Sequence, residues 1–246
     1  MPLVRSLAFN VCFYLNTISL LLVFLPVLLL PRRTVWTVVR TWTTINHWLL
    51  RKICGIDFEI RGIERIPSGP LLVASKHQSA WETFTLPTLF DDPTFILKRE
   101  LMWLPFFGWY LAKSKMVPIR RGARKVALAG MAERAKVEIS HNRQIIIFPE
   151  GTRRLPGAEP AYKYGVAHLY AELGVPCVPI AINSGLYWPR RTWRLRPGTI
   201  RVEILEPIPP GLDPQAFLAR LQNEIETATA RLLAEGRAEV GRRNSA

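Results

Sequence analysis

The stretch LLVASKHQSAWETF, residues 71–84, decides how the rest of the chain is read. An apolar run of strand length stops at Ser75, His77 stands in the turn, and Glu82 falls early in the helical pattern that follows. On one continuous helix the His77 and Glu82 side chains would stand about 140° apart and would not meet. With His77 ahead of the helix, the imidazole can fold back over the first turn. There Glu82 can accept the proton of one ring nitrogen, orienting the ring and raising its basicity, while the other nitrogen stays free to take a proton from a substrate. A structural histidine beside an unrelated glutamate satisfies the same spacing.

Outward from this unit, short apolar or alternating runs recur at 57–61, 94–97, 115–119, 144–148, 178–183 and 199–205, and each suits a strand. Helical patterns lie between several of them, at 81–90, 126–139 and 163–173. A last helix over 214–235 carries Phe217, Leu218, Leu221, Ile225, Ala228 and Leu232 on one face. The predicted class is α/β: a mixed, largely buried sheet flanked by helices, preceded by an N-terminal membrane-associated helical segment. The expected organisation is anchoring helices over 1–54, an α/β domain over 55–240 and a basic, frayed tail over 241–246. Pro179, inside the run at 178–183, predicts an edge strand or a bulge.

The anchoring assignment rests on 25 uncharged residues between Ser6 and Leu30, ending in LLLVFLPVLLL. As a helix they cover somewhat more than the roughly 30 Å hydrocarbon core of a bilayer. The run is too long for a signal-peptide core, and Pro31, Arg32 and Arg33 follow it in place of a small-residue cleavage site. Only Arg5 precedes it, whereas Arg32, Arg33, Arg40, Arg51 and Lys52 come after, so a spanning segment leaves the bulk of the protein in the cytoplasm. Asn10, Asn16, Thr17 and Ser19 dilute its first half and equally permit a shallow, re-entrant insertion. Beyond it, Val35, Val38, Val39, Trp42, Ile45, Leu49 and Ile53 share one helical face, with Arg40, Thr44 and Arg51 opposite. That is the pattern of an in-plane interfacial helix, or of an amphipathic helix packed on the domain.

Composition closes off other classes. The 246 residues are 49% hydrophobic with a formal net charge of +14, which excludes disorder and calls for an anionic partner, either nucleic acid or a cytoplasmic membrane leaflet. Cys12, Cys54 and Cys177 are widely spaced and show no CxxC or Cys/His pairing, so neither zinc nor a disulfide framework is expected. The basic residues are spread over strand ends and membrane-proximal helices without a nucleic-acid recognition motif, and no nucleic-acid partner is expected.

Two further constellations carry chemistry. IIIFPEGTRR, residues 145–154, breaks at Pro149 into Glu150, Gly151, Thr152 and Arg153: a glycine that lets backbone approach a ligand, a hydroxyl, and a planar fork suited to phosphate or carboxylate. It lacks the order of a nucleotide P-loop, and a strand-ending turn with solvated arginines has the same composition. Arg120, Arg121, Arg124 and Lys125 follow another strand, and Lys98 and Arg99 end a third. In an open α/β sheet these ends lie near His77, where ligands bind.

Taken together and in order, His77 and Glu82, the Arg121–Gly122 turn, Phe148 to Arg153 and the GVPCVPI run resemble the glycerolipid acyltransferase family, in particular its bacterial 1-acylglycerol-3-phosphate acyltransferases. The likeness covers roughly residues 70 to 185. It implies transfer of a fatty acyl group from an acyl-carrier-protein or coenzyme A thioester to the sn-2 hydroxyl of 1-acylglycerol 3-phosphate, forming phosphatidic acid, or to that of another lysolipid, at the bacterial inner membrane with the catalytic domain facing the cytoplasm. By this resemblance His77 is the general base and Glu82 its orienting acid. Arg121 binds the acceptor phosphate, Glu150, Gly151, Thr152 and Arg153 help hold the glycerol phosphate, and Lys163 adds a basic group. Glu82 departs from the commoner Asp, and Arg120 stands where many relatives carry Asp. Neither metal nor cofactor is expected beyond the thioester co-substrate; the expected partners are membrane lipid and, for the donor, acyl carrier protein. The absence of a Gly-x-Ser-x-Gly elbow favours direct transfer without an acyl-enzyme.

Overall fold

The computed structural model describes residues 2–119 and 124–245. Seven strands, β1 (Ile56–Arg61), β2 (Leu71–Ser75), β3 (Pro93–Lys98), β4 (Val117–Ile119), β5 (Gln144–Ile147), β6 (Cys177–Ile182) and β7 (Gly198–Ile204), form one sheet. Each lies where an apolar run predicts a strand. Their order is β1-β7-β6-β2-β5-β3-β4, and every neighbouring pair is parallel except β6 with β7, so the sheet is mixed.

Alternation along the strands builds two cores, one on each face. Val73, Ile146, Val178 and Ile180 point to one face, where α1 (Pro2–Val23), α2 (Val35–Leu49), the turn Leu50–Cys54 after it and α3 (Trp81–Thr85) cover them with Phe9, Leu50, Trp81 and Phe84. Leu72, Ala74, Ile145 and Ile147 point to the other, against α5 (Arg124–Ser140), α6 (Gly165–Leu173) and α7 (Pro214–Ser245). A short helix, α4 (Phe107–Lys113), lies between β3 and β4 in the chain; its sequence carries no clear period and predicts no element.

The segment set apart by sequence as residues 1–54 shares the main core. Phe9 is fully buried and packs edge-on against Trp188, and Ser6 and Leu195 exchange hydrogen bonds. The buried face of α2 is rotated from the predicted stripe. Thr43 and Asn46 are buried while Ile45 and Leu49 are only half-buried; Thr43 donates to the carbonyl of Phe84 on α3, and Asn46 satisfies its amide on the carbonyl of Trp42 one turn back on α2.

Three further expectations change. The predicted helix over 81–90 is α-helical only to Thr85 and tightens into a 3-10 turn over Leu86–Leu89, since Pro87 has no N–H to continue the ladder. β6 is no edge strand, lying between β7 and β2, but the bulge reading of Pro179 has a counterpart. Ile180 pairs with Ile204 while Cys177 pairs with Ile208, so the chain leaving β7 holds one extra residue opposite the missing N–H. Finally, α7 begins where the Asp213 carboxylate accepts from the amides of Gln215 and Ala216, and it continues to Ser245 rather than fraying at Gly241.

Candidate active site

Because β2 and β5 are adjacent and parallel, residues after their carboxyl ends emerge at one edge of the sheet. β3 is parallel to β5, and β6 to β2, so Lys98 and Ser184 emerge there too. This topology gathers motifs that are far apart in the chain.

His77 leaves β2 and lies over the first turn of α3, with Nδ1 3.0 Å from Glu82 Oε1. Glu82 is fully buried, yet every lone-pair direction is engaged. Its Oε1 also accepts from the amides of Gln78 and Ser79, and its Oε2 accepts from the hydroxyls of Ser79 and Ser184. Burial pushes the Glu82 carboxyl up, but the hydrogen bond and charge of His77 and the Ser79 amide outweigh it, holding the group below the usual carboxylate range. An ionised Glu82 requires Nδ1 to carry the proton, and Nε2 makes no hydrogen bond among the described residues. The imidazole stacks on Phe148 at 3.9 Å, which fixes its plane. Ser79-x-x-Glu82 also has the form of a capping box, so the carboxylate that orients His77 helps start α3.

His77 lines an apolar cavity of about 500 Å³ between α2, β3, β5, α5 and α6, with Trp36, Trp42, Ile96, Met131 and Val166 among its walls. Its polar rim carries Lys98, Arg153 and Lys163. Gly151 sits at φ 64, and a Cβ there would lie 3.1 Å from Lys163 Nζ, so glycine allows both the turn and the approach of the ammonium. The turn is tied to the histidine by the Arg154 amide, which donates to the His77 carbonyl at 2.8 Å. An imidazole with a free nitrogen, a fatty cavity and three cations can together take a proton from an alcohol whose molecule carries a hydrocarbon chain and an anion.

The family model for acyltransferases matches residues 57–183, which contain all of these groups except Trp36 and Trp42 of α2 and Ser184, the residue after its last position. The chain belongs to the acyltransferase family. Among its relatives is a 1-acyl-sn-glycerol-3-phosphate acyltransferase of Pseudomonas aeruginosa, 43% identical over 167 residues covering 68% of this chain and 65% of that protein, just under two thirds of its length. Another is the 1-acyl-sn-glycerol-3-phosphate acyltransferase alpha of Homo sapiens, 29% identical over 237 residues, 93% of this chain and 83% of that protein. The fold matches the crystal structure of the 1-acyl-sn-glycerophosphate acyltransferase PlsC from Thermotoga maritima with a TM-score of 0.76 at 22% identity, covering 94% of this chain and 98% of that one.

Within this acyltransferase fold, the predicted site residues divide into three groups. His77, Glu82, Gly151, Arg153 and Lys163 come together around the cavity. Glu150 and Thr152 do not line it: Thr152 is exposed on the turn, and Glu150 is turned inward. The Glu150 carboxylate accepts from Lys76 at 2.9 Å, and the same ammonium reaches Glu226 of α7 at 2.6 Å, where the Tyr162 hydroxyl also donates. Burial raises the Glu150 carboxyl above its ordinary value despite Lys76. The reason for this placement is that Lys76, almost wholly buried at the end of β2, needs anions beside it. Arg121 lies outside the described residues. Lys76 and Ser184 were not singled out from sequence. Their signal was position alone, each immediately following a predicted strand at this edge. Among the described residues, no group of three or more His, Cys, Asp or Glu is gathered that could hold a metal ion.

Proposed function

We propose that the protein transfers a fatty acyl group from an acyl-carrier-protein or coenzyme A thioester to the sn-2 hydroxyl of 1-acylglycerol 3-phosphate, forming phosphatidic acid. The observation that carries this reading is the His77–Glu82 pair, with its second nitrogen unbonded, in the wall of a fatty cavity rimmed by Lys98, Arg153 and Lys163. The apolar walls suit the acyl chains and the cations suit a phosphate monoester. His77 removes the hydroxyl proton as that oxygen attacks the thioester carbonyl, Glu82 stabilises the imidazolium that results, and the proton then passes to the departing thiolate. General-base action of this kind contributes roughly two to four powers of ten, and holding two substrates in line supplies much of the rest. Direct transfer is favoured because Cys177 lies at the start of β6, the opposite end of the sheet from His77, and burial raises its thiol.

The reaction is proposed to take place on a membrane, at the cytoplasmic face of a bacterial inner membrane. The helix Leu3–Val23 is long and apolar enough to cross a bilayer, and Val4, Val11, Leu15, Ile18 and Val23 are exposed. Its opposite face is occupied by the packing of Phe9 and Asn10 on the domain, which supports shallow insertion over full crossing, since crossing would strip those contacts.

The decisive experiment is an acyl-transfer assay of purified protein with lysophosphatidate, other lysolipids and both thioester types, beside His77→Ala. Turnover confined to lysophosphatidate, the phosphate monoester, and lost in the variant is expected. Full activity in His77→Ala, or none with any pair, overturns the reading.

A further inference from the structure

The segment joining β3 to α4 and the first turn of α4 show large apolar side chains to solvent: Trp103 is 67% exposed, Leu104 47% and, on α4, Trp109 55%. Such residues in a cluster mark an interaction surface rather than ordinary surface scatter. The cluster is held rigidly. Phe106 adopts φ 61, a left-handed conformation costly for a bulky residue. Gly108 packs so closely on Met102 that a Cβ would lie 2.1 Å from its carbonyl oxygen, while the Gly108 amide donates to the carbonyl of Leu104. Phe106 and Trp109 meet edge-on at 5.2 Å, and the Arg99 guanidinium lies over the Trp103 ring at 5.9 Å. The turn is thus built to present indoles, and none of them closes the hydrophobic core.

We infer that Trp103, Leu104 and Trp109 form a second membrane-contact site, on the catalytic domain itself, that inserts into the headgroup–acyl boundary of an anionic bilayer. Two observations select lipid as the occupant. The first is charge: residues 98–115 hold Lys98, Arg99, Lys113 and Lys115 against the single carboxylate of Glu100, and indoles flanked by cations suit the headgroup level. The second is continuity with the apolar face of α1. The Tyr110 hydroxyl of α4 donates to the Leu21 carbonyl at 3.0 Å, and Tyr110 packs in one cluster with Val27 and Val35, adjoining the exposed Leu22, Val23, Leu29 and Leu30. Lys98, Leu101, Phe107 and Leu111 of the same segment line the catalytic cavity. Insertion of the turn therefore holds the cavity against the leaflet, where a lysolipid can enter without crossing water.

This inference rests on the membrane association proposed above, and its test reads binding without acyl transfer. Flotation of the full chain with vesicles of phosphatidylcholine and phosphatidylglycerol in equal parts is compared for the wild type, Trp103→Ser/Trp109→Ser and Trp103→Phe/Trp109→Phe. The serine variant is expected to bind about tenfold more weakly and the phenylalanine variant within about twofold of wild type. Brominated acyl chains should quench tryptophan fluorescence less in the phenylalanine variant than in the wild type. Wild-type binding by a folded serine variant, or undiminished quenching in the phenylalanine variant, overturns the proposal, and the second readout decides if the serine variant does not fold. A protein that binds through these residues yet transfers no acyl group overturns the proposed function and leaves this surface standing.

Discussion

The hydroxyl of Ser184 donates a hydrogen bond to Oε2 of Glu82 at 2.8 Å across 102 residues of chain, joining the end of β6 to the base-orienting carboxylate. Together with the Ser79 hydroxyl it occupies the oxygen that His77 does not use, so the carboxylate has one orientation. Ser184→Ala should therefore lower kcat by about tenfold with the KM for both substrates little changed, the loss being one hydrogen bond to a charged group. Steady-state kinetics with the variant check this; a raised KM and unchanged kcat would place Ser184 in binding instead.

His77→Ala should lower kcat by about two to four powers of ten while thermal unfolding stays near that of the wild type, since the ring makes one side-chain hydrogen bond and one stack. Glu82→Gln should cost folding as well as rate. The amide nitrogen of Gln cannot accept from the backbone and hydroxyl donors that now converge on the carboxylate. Parallel denaturation and turnover measurements separate the two effects.

Lys76 is a structural ion enclosed beneath the site. Lys76→Met leaves Glu150 buried without its cation and should destabilise the fold by about 3 kcal/mol, with Glu150→Gln recovering part of the loss in the double variant. Chemical denaturation of the four proteins of this cycle measures the coupling; strictly additive losses would show that the ion pair contributes nothing.

Arg153 stands on the cavity rim and is exposed to solvent. Arg153→Ala should raise the KM for lysophosphatidate by about tenfold and leave that for an acceptor without phosphate unchanged, because one charge-assisted contact is removed. Acceptor-dependent kinetics with the two lipids decide the point.

His47 is half-buried on α2, stacked on Trp81 and tilted against Phe58, with Nε2 2.9 Å from the Thr85 hydroxyl. Burial, with Arg51 nearby, lowers its pKa from 6.5 to about 4, so the folded protein binds this proton less readily than the unfolded chain. The contribution is fully present above pH 6.5 and is lost as pH falls toward about 4, up to about 3 kcal/mol. The stability of the wild type relative to His47→Phe, measured by denaturant titration, should fall as pH is lowered from 6.5 toward about 4; a difference independent of pH would show that His47 does not titrate there.

Much of the architecture could be read from local pattern. All seven strands and the helices that became α3, α5, α6 and α7 are visible in the sequence, the central strands β2, β5 and β6 as unbroken apolar runs because both their faces are buried, and the others as apolar or alternating runs or helical patterns. Where the pattern misleads, a contact outside the local window is responsible. Thr43 is buried on α2 because the carbonyl of Phe84 awaits it, and α4 forms on packing with Met102 and Leu21 rather than on any period of its own.

The candidate site divides along the same line. His77 and Glu82 lie five residues apart, and the strand–turn–helix around them was enough to bring the imidazole and carboxylate together, since a short chain around a helix start has few ways to fold. Glu150 shows the opposite case. Nothing local distinguishes a carboxylate that faces a cavity from one that faces a buried lysine on the next strand, and only the parallel pairing of β2 with β5 put Lys76 within 2.9 Å. The amino-acid order by itself thus determined which residues are chemically able and roughly where each element runs. The tertiary fold decided which of them share a cavity, which are spent on holding the sheet to α7, and that Ser184 reaches Glu82, because long-range pairing sets distances that spacing along the chain does not carry.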